Sequence, residues 1–123
     1  MRDKAGRVPE RLQDIREAIG NARNDLGSLT KEQFQADGKT QRAVIVSLII
    51  IGEAANHVMR LAPEMEQKVP EVWQHLKDVY DMRIILTHEY FRVDAAVVWD
   101  TVKNDLARLE ALLDSIPIRG DQG

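Results

Sequence analysis

"AVIVSLIIIGEAANHV", residues 43–58, is the stretch that decides the fold. Val44, Leu48, Ile51, Ala55 and Val58 recur at three- and four-residue spacing, which puts them on one face of an α-helix. Ile45 and Ile49 carry the apolar surface further round the cylinder. A helix that is apolar on more than one face lies at the centre of a bundle, or it also meets a second subunit. Gly52 costs roughly 1 kcal/mol of helix propensity relative to alanine, and close approach of another helix would account for it. Glu53 interrupts the apolar surface with a carboxylate. The helix runs from about Lys39 to Leu61, and Pro63 stops it.

The flanking segments carry the same period. Leu12, Ile15, Ile19, Ala22 and Leu26 form one apolar face, with Pro9 suited to its first turn and Gly27 to its end. "SLTKEQF" reads as a short capped turn with Thr30 as N-cap and Phe34 as an anchor into the core. A third helix opens near "VPEVW", with Pro70 in its first turn, and continues towards Tyr90. A fourth has Asp94 as N-cap and places Ala95, Val98, Val102, Leu106, Leu109, Leu113 and Ile116 at helical spacing until Pro117. No alternating run bounded by hairpin turns occurs. The expected fold is all-α, an antiparallel bundle of four main helices plus a short helical turn, as a single domain over residues 1–123.

Composition narrows the setting. The balance of 44% apolar and 30% charged residues is that of a folded globular chain. The absence of cysteine removes disulfides and thiolate metal sites and predicts a reducing compartment, the cytoplasm. "MRDKAGRVPE" has no apolar signal core, and "AVIVSLIII" falls short of the roughly 20 apolar residues a bilayer needs, so no membrane association is expected. A net charge of −3 disfavours a non-specific coat of nucleic acid but leaves room for a local basic site.

"MRIILTHEYF", residues 82–91, breaks the pattern of the third helix. Val72, Leu76, Val79, Leu86 and Tyr90 fall on one line, and Arg83 belongs to the same line. A guanidinium on a core-facing line is costly unless it is paired or meets a cleft, and Glu53 is a candidate partner. At about 100° per residue, Tyr90 lies within about 20° of Arg83 but His88 lies about 140° away. Either the helix ends or distorts around Thr87 and His88, or two chains pool these residues across a symmetry axis. Arg plus His suits a phosphodiester. Imidazole moves a proton in either direction near neutral pH, and guanidinium holds phosphate oxygens as negative charge develops. RNA brings its own nucleophile, the neighbouring ribose hydroxyl, so this chemistry needs no metal.

This stretch resembles the Arg-x4-His-x-Tyr motif of the HEPN superfamily, in particular the HepT-like toxins encoded beside a minimal nucleotidyltransferase. The resemblance extends to "RLQDIREAI", "AVIVSLIIIGEAANHV", "VPEVW" and "VDAAVVWDTVKNDLARLEALL", and so covers most of the chain. It implies a homodimer with the motif lining an intersubunit cleft, and a cofactor-free, metal-independent endoribonuclease that leaves a cyclic phosphate. Arg83 and His88 take the catalytic positions; Glu53, the candidate partner of Arg83 read from its place on the central helix, would hold the guanidinium in place. Tyr90 takes the place of the tyrosine that the nucleotidyltransferase antitoxin adenylylates to block the enzyme. Ile84 departs from the polar residue, often asparagine, that usually follows the arginine.

Simpler readings stand beside these. Arg83 could form a structural ion pair with Glu53, His88 could cap the last carbonyls of its helix, and Tyr90 could be a core aromatic with its hydroxyl at the rim. The alternative function is a non-catalytic HEPN helical module that binds nucleotide or a nucleotidyltransferase. His57 and His75 each follow a glutamate by four residues, which is not the Glu-x-x-His spacing of a di-iron bundle, and no metal is assigned. Trp73 and Trp99 read as core or interface residues, and Lys77, Arg92 and Lys103 as scattered surface charges or a basic rim.

Overall fold

The structure, a computed structural model, describes residues 4–116. Helix α1 spans Lys4–Leu26. It begins more than a turn before Pro9, which lies inside it rather than in its first turn. As the sixth residue of α1, Pro9 lies beyond the four N–H groups that lack intrahelical partners, so it removes one i→i−4 hydrogen bond from the second turn of the helix. Gly27 closes α1 with φ 57°, a left-handed conformation that favours glycine, and its N–H donates to the Arg23 carbonyl at 2.9 Å. The short α2, Lys31–Gln35, is held by a capping box. Gln33 N–H donates to Thr30 Oγ1 at 3.1 Å, and Thr30 N–H donates to Gln33 Oε1 at 2.9 Å. Phe34 is fully buried beneath it.

Helix α3, Gly38–Leu61, is the central element. It packs against α1 on one side and against α5, Pro70–His88, on the other. A single extra turn, α4 (Met65–Lys68), lies between α3 and α5 and has no counterpart in the sequence expectation. Arg16 meets Asp114, and Arg23 meets Glu110 at 2.7 Å, so the last helix runs antiparallel to α1. Ile15, Ile51, Leu76, Leu86, Leu106 and Leu109 fill the space between the helices. The all-α antiparallel bundle follows directly from the four apolar faces.

The fourth main helix is not regular. Asp94 caps it as expected, its carboxylate accepting from Ala96 N–H at 2.9 Å. Helix α6 (Ala95–Asp100) then opens into a π turn over Thr101–Asp105 before α7, Leu106–Ser115. Val98, Val102 and Leu106 are all buried although each is four residues from the next. In an ordinary helix two such steps drift off the line, and the wider i→i+5 turn keeps them on it. Ile116 follows α7 outside the helix, and the expected stop at Pro117 lies outside the described residues.

By length and composition alone α3 is long and apolar enough to cross a membrane, a test that the core helix of a helical bundle also passes. Half of its most apolar window is buried within the bundle.

Candidate active site

Arg83 reaches the surface because Gly52 lets it lie across α3. A Cβ at Gly52 would collide with Arg83 Cβ and would stand 2.7 Å from the Val79 carbonyl oxygen. The missing methyl allows the two backbones to touch, which is the close approach the glycine implied. From there the Arg83 stem carries its Nη2 to 3.2 Å from Glu53 Oε1. The side chains are 29% and 47% exposed, so the pair itself contributes about 0–1 kcal/mol and serves to orient the guanidinium. Arg83 Nε is buried and has no acceptor among the described residues. The arginine is therefore anchored at one nitrogen and unsatisfied at another, which is expensive in a purely structural residue.

The helix ends at His88, the first of the two solutions open to the motif. Glu89 N–H donates to the Ile85 carbonyl at 2.8 Å to close α5, and Tyr90–Arg92 then form a 3-10 turn. Thr87 directs its hydroxyl back onto its own helix, its one proton shared between the Arg83 and Ile84 carbonyls at 3.0 and 3.1 Å. His88 is exposed. Among the described residues no hydrogen bond joins it to Arg83 within one chain. Tyr90 leaves the Arg83 line because the 3-10 turn rotates it away, and it lines a cavity with Phe34, Arg42 and Ile45. The structure thus brings Arg83 and Glu53 into contact and leaves His88 and Tyr90 at the neighbouring end of α5. Sequence reasoning did not single out Arg42, which carried no periodic or motif signal.

Exposed apolar side chains accompany these residues. Val46 and Ile50, 56% and 47% exposed, precede Glu53 at seven and three residues on the outer face of α3. On α5, Ile84 is 37% exposed beside Arg83, and His88 follows it by one turn on the same line.

The other candidates resolve into ordinary contacts. His75 Nδ1 lies 3.0 Å from the Glu71 carbonyl, while the Glu71 carboxylate is taken by Arg108 at 2.6 Å. His57 lines an open groove between α1 and α3 with Glu53, Asp14 and Arg11. No group of three His, Asp or Glu converges as metal ligands among the described residues. Trp99 is half-buried, donates from Nε1 to the Leu29 carbonyl at 3.2 Å, and has Lys31 and Lys103 over its ring at 5.4 and 5.6 Å. Lys77 pairs with Asp81 within α5.

Comparison with known proteins gives these residues a family. A family model described as Ribonuclease HepT-like matches residues 12–116. The chain is 36% identical over 105 residues to the "Probable ribonuclease HepT" of Thermococcus cleftensis, covering 85% of this chain and 91% of the relative. A Methanocaldococcus jannaschii protein named as a candidate RNase is 34% identical over 110 residues, 85% of this chain and 86% of its own. A similarly named protein of Caldanaerobacter subterraneus subsp. tengcongensis is 36% identical over 85 residues, 69% of this chain and 71% of its own. No solved structure matches the chain. Matched by that family model over residues 12–116 and folded as a helical bundle of the expected kind, the chain belongs to the HepT-like ribonuclease family of the HEPN type.

Proposed function

We propose that this protein is the toxin of a toxin–antitoxin pair, a cytoplasmic homodimeric endoribonuclease in which Arg83 and His88 act on RNA. The placement of Arg83 carries this reading. It sits on the inward line of α5, yet its guanidinium reaches the surface, anchored on Glu53 and bordered by exposed apolar side chains. A second copy seated on Val46, Ile50 and Ile84 would cover that apolar surface and bring two Arg83–His88 sets to one groove.

In that groove the ribose 2′-hydroxyl attacks the adjacent phosphorus, forming the O2′–P bond as the P–O5′ bond breaks. One His88 takes the hydroxyl proton, and the second copy's His88 returns a proton to the leaving 5′ oxygen. Arg83 holds the non-bridging oxygens as they gain charge. The products are a 2′,3′-cyclic phosphate and a 5′-hydroxyl, and no step calls for a metal. The antitoxin is a minimal nucleotidyltransferase. It joins the Tyr90 hydroxyl to the α-phosphorus of ATP with loss of pyrophosphate, and the bulky anion then excludes RNA.

Purified protein incubated with RNA in excess chelator should cleave it, with cyclic phosphate ends, and Arg83→Ala and His88→Ala should each lose at least about a hundredfold. Equal activity in all three proteins would mark a contaminant and end the assignment. Intact mass after co-expression with the nucleotidyltransferase should rise by a nucleotide unit, and Tyr90→Phe should not gain it.

The exposed Ile84 beside Arg83 favours a second reading, a non-catalytic module that binds nucleotide or the nucleotidyltransferase. In that case RNA is bound and not cut.

A further inference from the structure

Glu53, which anchors Arg83, is also part of the wall of the groove between α1 and α3. The groove has a volume of about 340 Å³, above the roughly 300 Å³ at which small-ligand sites begin. Ala18 and Ala54 are small and almost fully covered where the two helices meet, so the accessible surface belongs to longer side chains along the rims. On the α3 rim Ile50 precedes Glu53 by three residues and the exposed imidazole of His57 follows it by four. Ile50 also belongs to the face that the proposed dimer would cover, so the groove opens beside the intersubunit cleft.

Charge in the groove is nearly balanced. Arg11 Nε lies 2.9 Å from Asp14 Oδ2, and Arg83 Nη2 lies 3.2 Å from Glu53 Oε1, so two of the three carboxylates face a guanidinium. The third, Glu17, is exposed on α1, and its side chain has no hydrogen bond or ion pair among the described residues. Asn21 follows Glu17 by one helical turn, about 6 Å along α1, and its amide is likewise without a partner there. An unpartnered carboxylate repels phosphate but accepts two parallel hydrogen bonds from a planar group with adjacent N–H donors. Among the four RNA bases only guanine has such an edge, with N1–H and the N2 amino group side by side and a carbonyl oxygen, O6, on the far side of N1. Unpaired bases in RNA are read on this edge and stack on side chains that include histidine.

We infer that the groove between α1 and α3 is a base-recognition subsite that selects guanine next to the scissile phosphate, with Glu17 as the residue that determines the choice. Glu17 accepts from N1–H and N2–H, the Asn21 amide donates to O6, and the ring lies against His57 and Ile50. The phosphate stays on Arg83, whose anchor Glu53 stands between the two sites. The inference rests on the ribonuclease reading, to which it adds a preferred sequence.

The test uses the full chain carrying His88→Ala and two labelled oligouridylates, one with a single central guanosine and one with inosine in its place. Inosine keeps N1–H and O6 and lacks the N2 amino group. The guanosine oligonucleotide should bind at least about fivefold more tightly than the inosine one. Glu17→Gln should erase that difference, and Glu32→Gln, the same loss of charge placed on α2, should keep it. With His88 intact, the protein should cut the guanosine oligonucleotide beside the guanosine, and Glu17→Gln should spread the cuts along the strand. Equal binding of the two oligonucleotides, or binding of neither, would overturn the subsite. A preference that survives Glu17→Gln, or that Glu32→Gln also erases, would overturn it too. Guanosine-selective binding that depends on Glu17, in a protein that never cuts RNA, would keep the groove and sink the ribonuclease reading. Cleavage without preference for guanosine would keep the ribonuclease and sink the groove.

Discussion

Arg83 owes its position to a methyl group that Gly52 lacks. Helix propensity alone would have Gly52→Ala stabilise the protein by up to about 1 kcal/mol. The contacts with Arg83 Cβ and the Val79 carbonyl reverse that sign, and overpacking of this kind costs about 1–3 kcal/mol. Urea unfolding of the alanine variant should therefore show a lower midpoint, and a raised midpoint would mean that α3 and α5 are not in contact at residue 52. Asp37 illustrates a different residue-level effect. Hydrogen bonds from the Thr40 N–H first, and from its hydroxyl second, hold the Asp37 carboxyl below its ordinary value of 3.8. The folded chain prefers the ionised form, so this contribution is complete above the ordinary value and disappears as pH falls through the lowered one. Melting curves of the wild type and Asp37→Ala should differ at neutral pH and converge as the pH is taken down through and below the ordinary carboxylate value of 3.8. A gap of constant size across that range would remove the cap from the account. Arg83 itself was legible in the sequence as a misplaced charge, because a guanidinium on an apolar line stands out against the helical period. Arg42 was not, because an arginine at the start of a helix looks like any solvated charge until the fold puts Tyr90 beside it.

At the scale of the element, the π turn at Thr101–Asp105 behaves as one residue inserted into a regular helix. Deleting Lys103, which is exposed, should let α6 and α7 join as ordinary helix with Val98, Val102, Leu106 and Leu109 still inward. The thermal midpoint should hold or rise, whereas deleting Ala107 should turn every later side chain by about 100° and unfold the bundle. A collapse of both deletions alike would show that the π turn is required for packing rather than tolerated. Caps and stops followed local chemistry, so Thr30, Asp94, Gly27, Pro63 and Pro70 all sit where the sequence put them. The π turn did not, because "AAVVWDTVKNDL" has helical propensity throughout and only the facing helices show which side chains must point inward.

On the scale of the whole molecule, the central helix cannot bury all of its apolar surface inside one chain. Val46 and Ile50 remain exposed on α3, with Ile84 on α5. If the chain forms the proposed dimer, Val46→Glu and Ile84→Glu should each shift its sedimentation from dimer to monomer and abolish RNA cleavage together. A wild type that sediments as a monomer at high micromolar concentration would leave the groove without its second half.

Periodic apolar residues, caps and helix breakers act within a few positions of one another. The sequence therefore determined by itself that this chain is an antiparallel helical bundle, which helix is central, and where the Arg-x4-His-x-Tyr motif lies. Only the tertiary structure decided what surrounds those residues. The sequence offered Glu53 as a partner for Arg83 and a close helix approach at Gly52, but that α5 is the helix that approaches there, and that Tyr90 and Arg42 line one pocket, are pairings of positions tens of residues apart. Such pairings depend on how the helices pack, a long-range balance of shape and burial that no local pattern encodes.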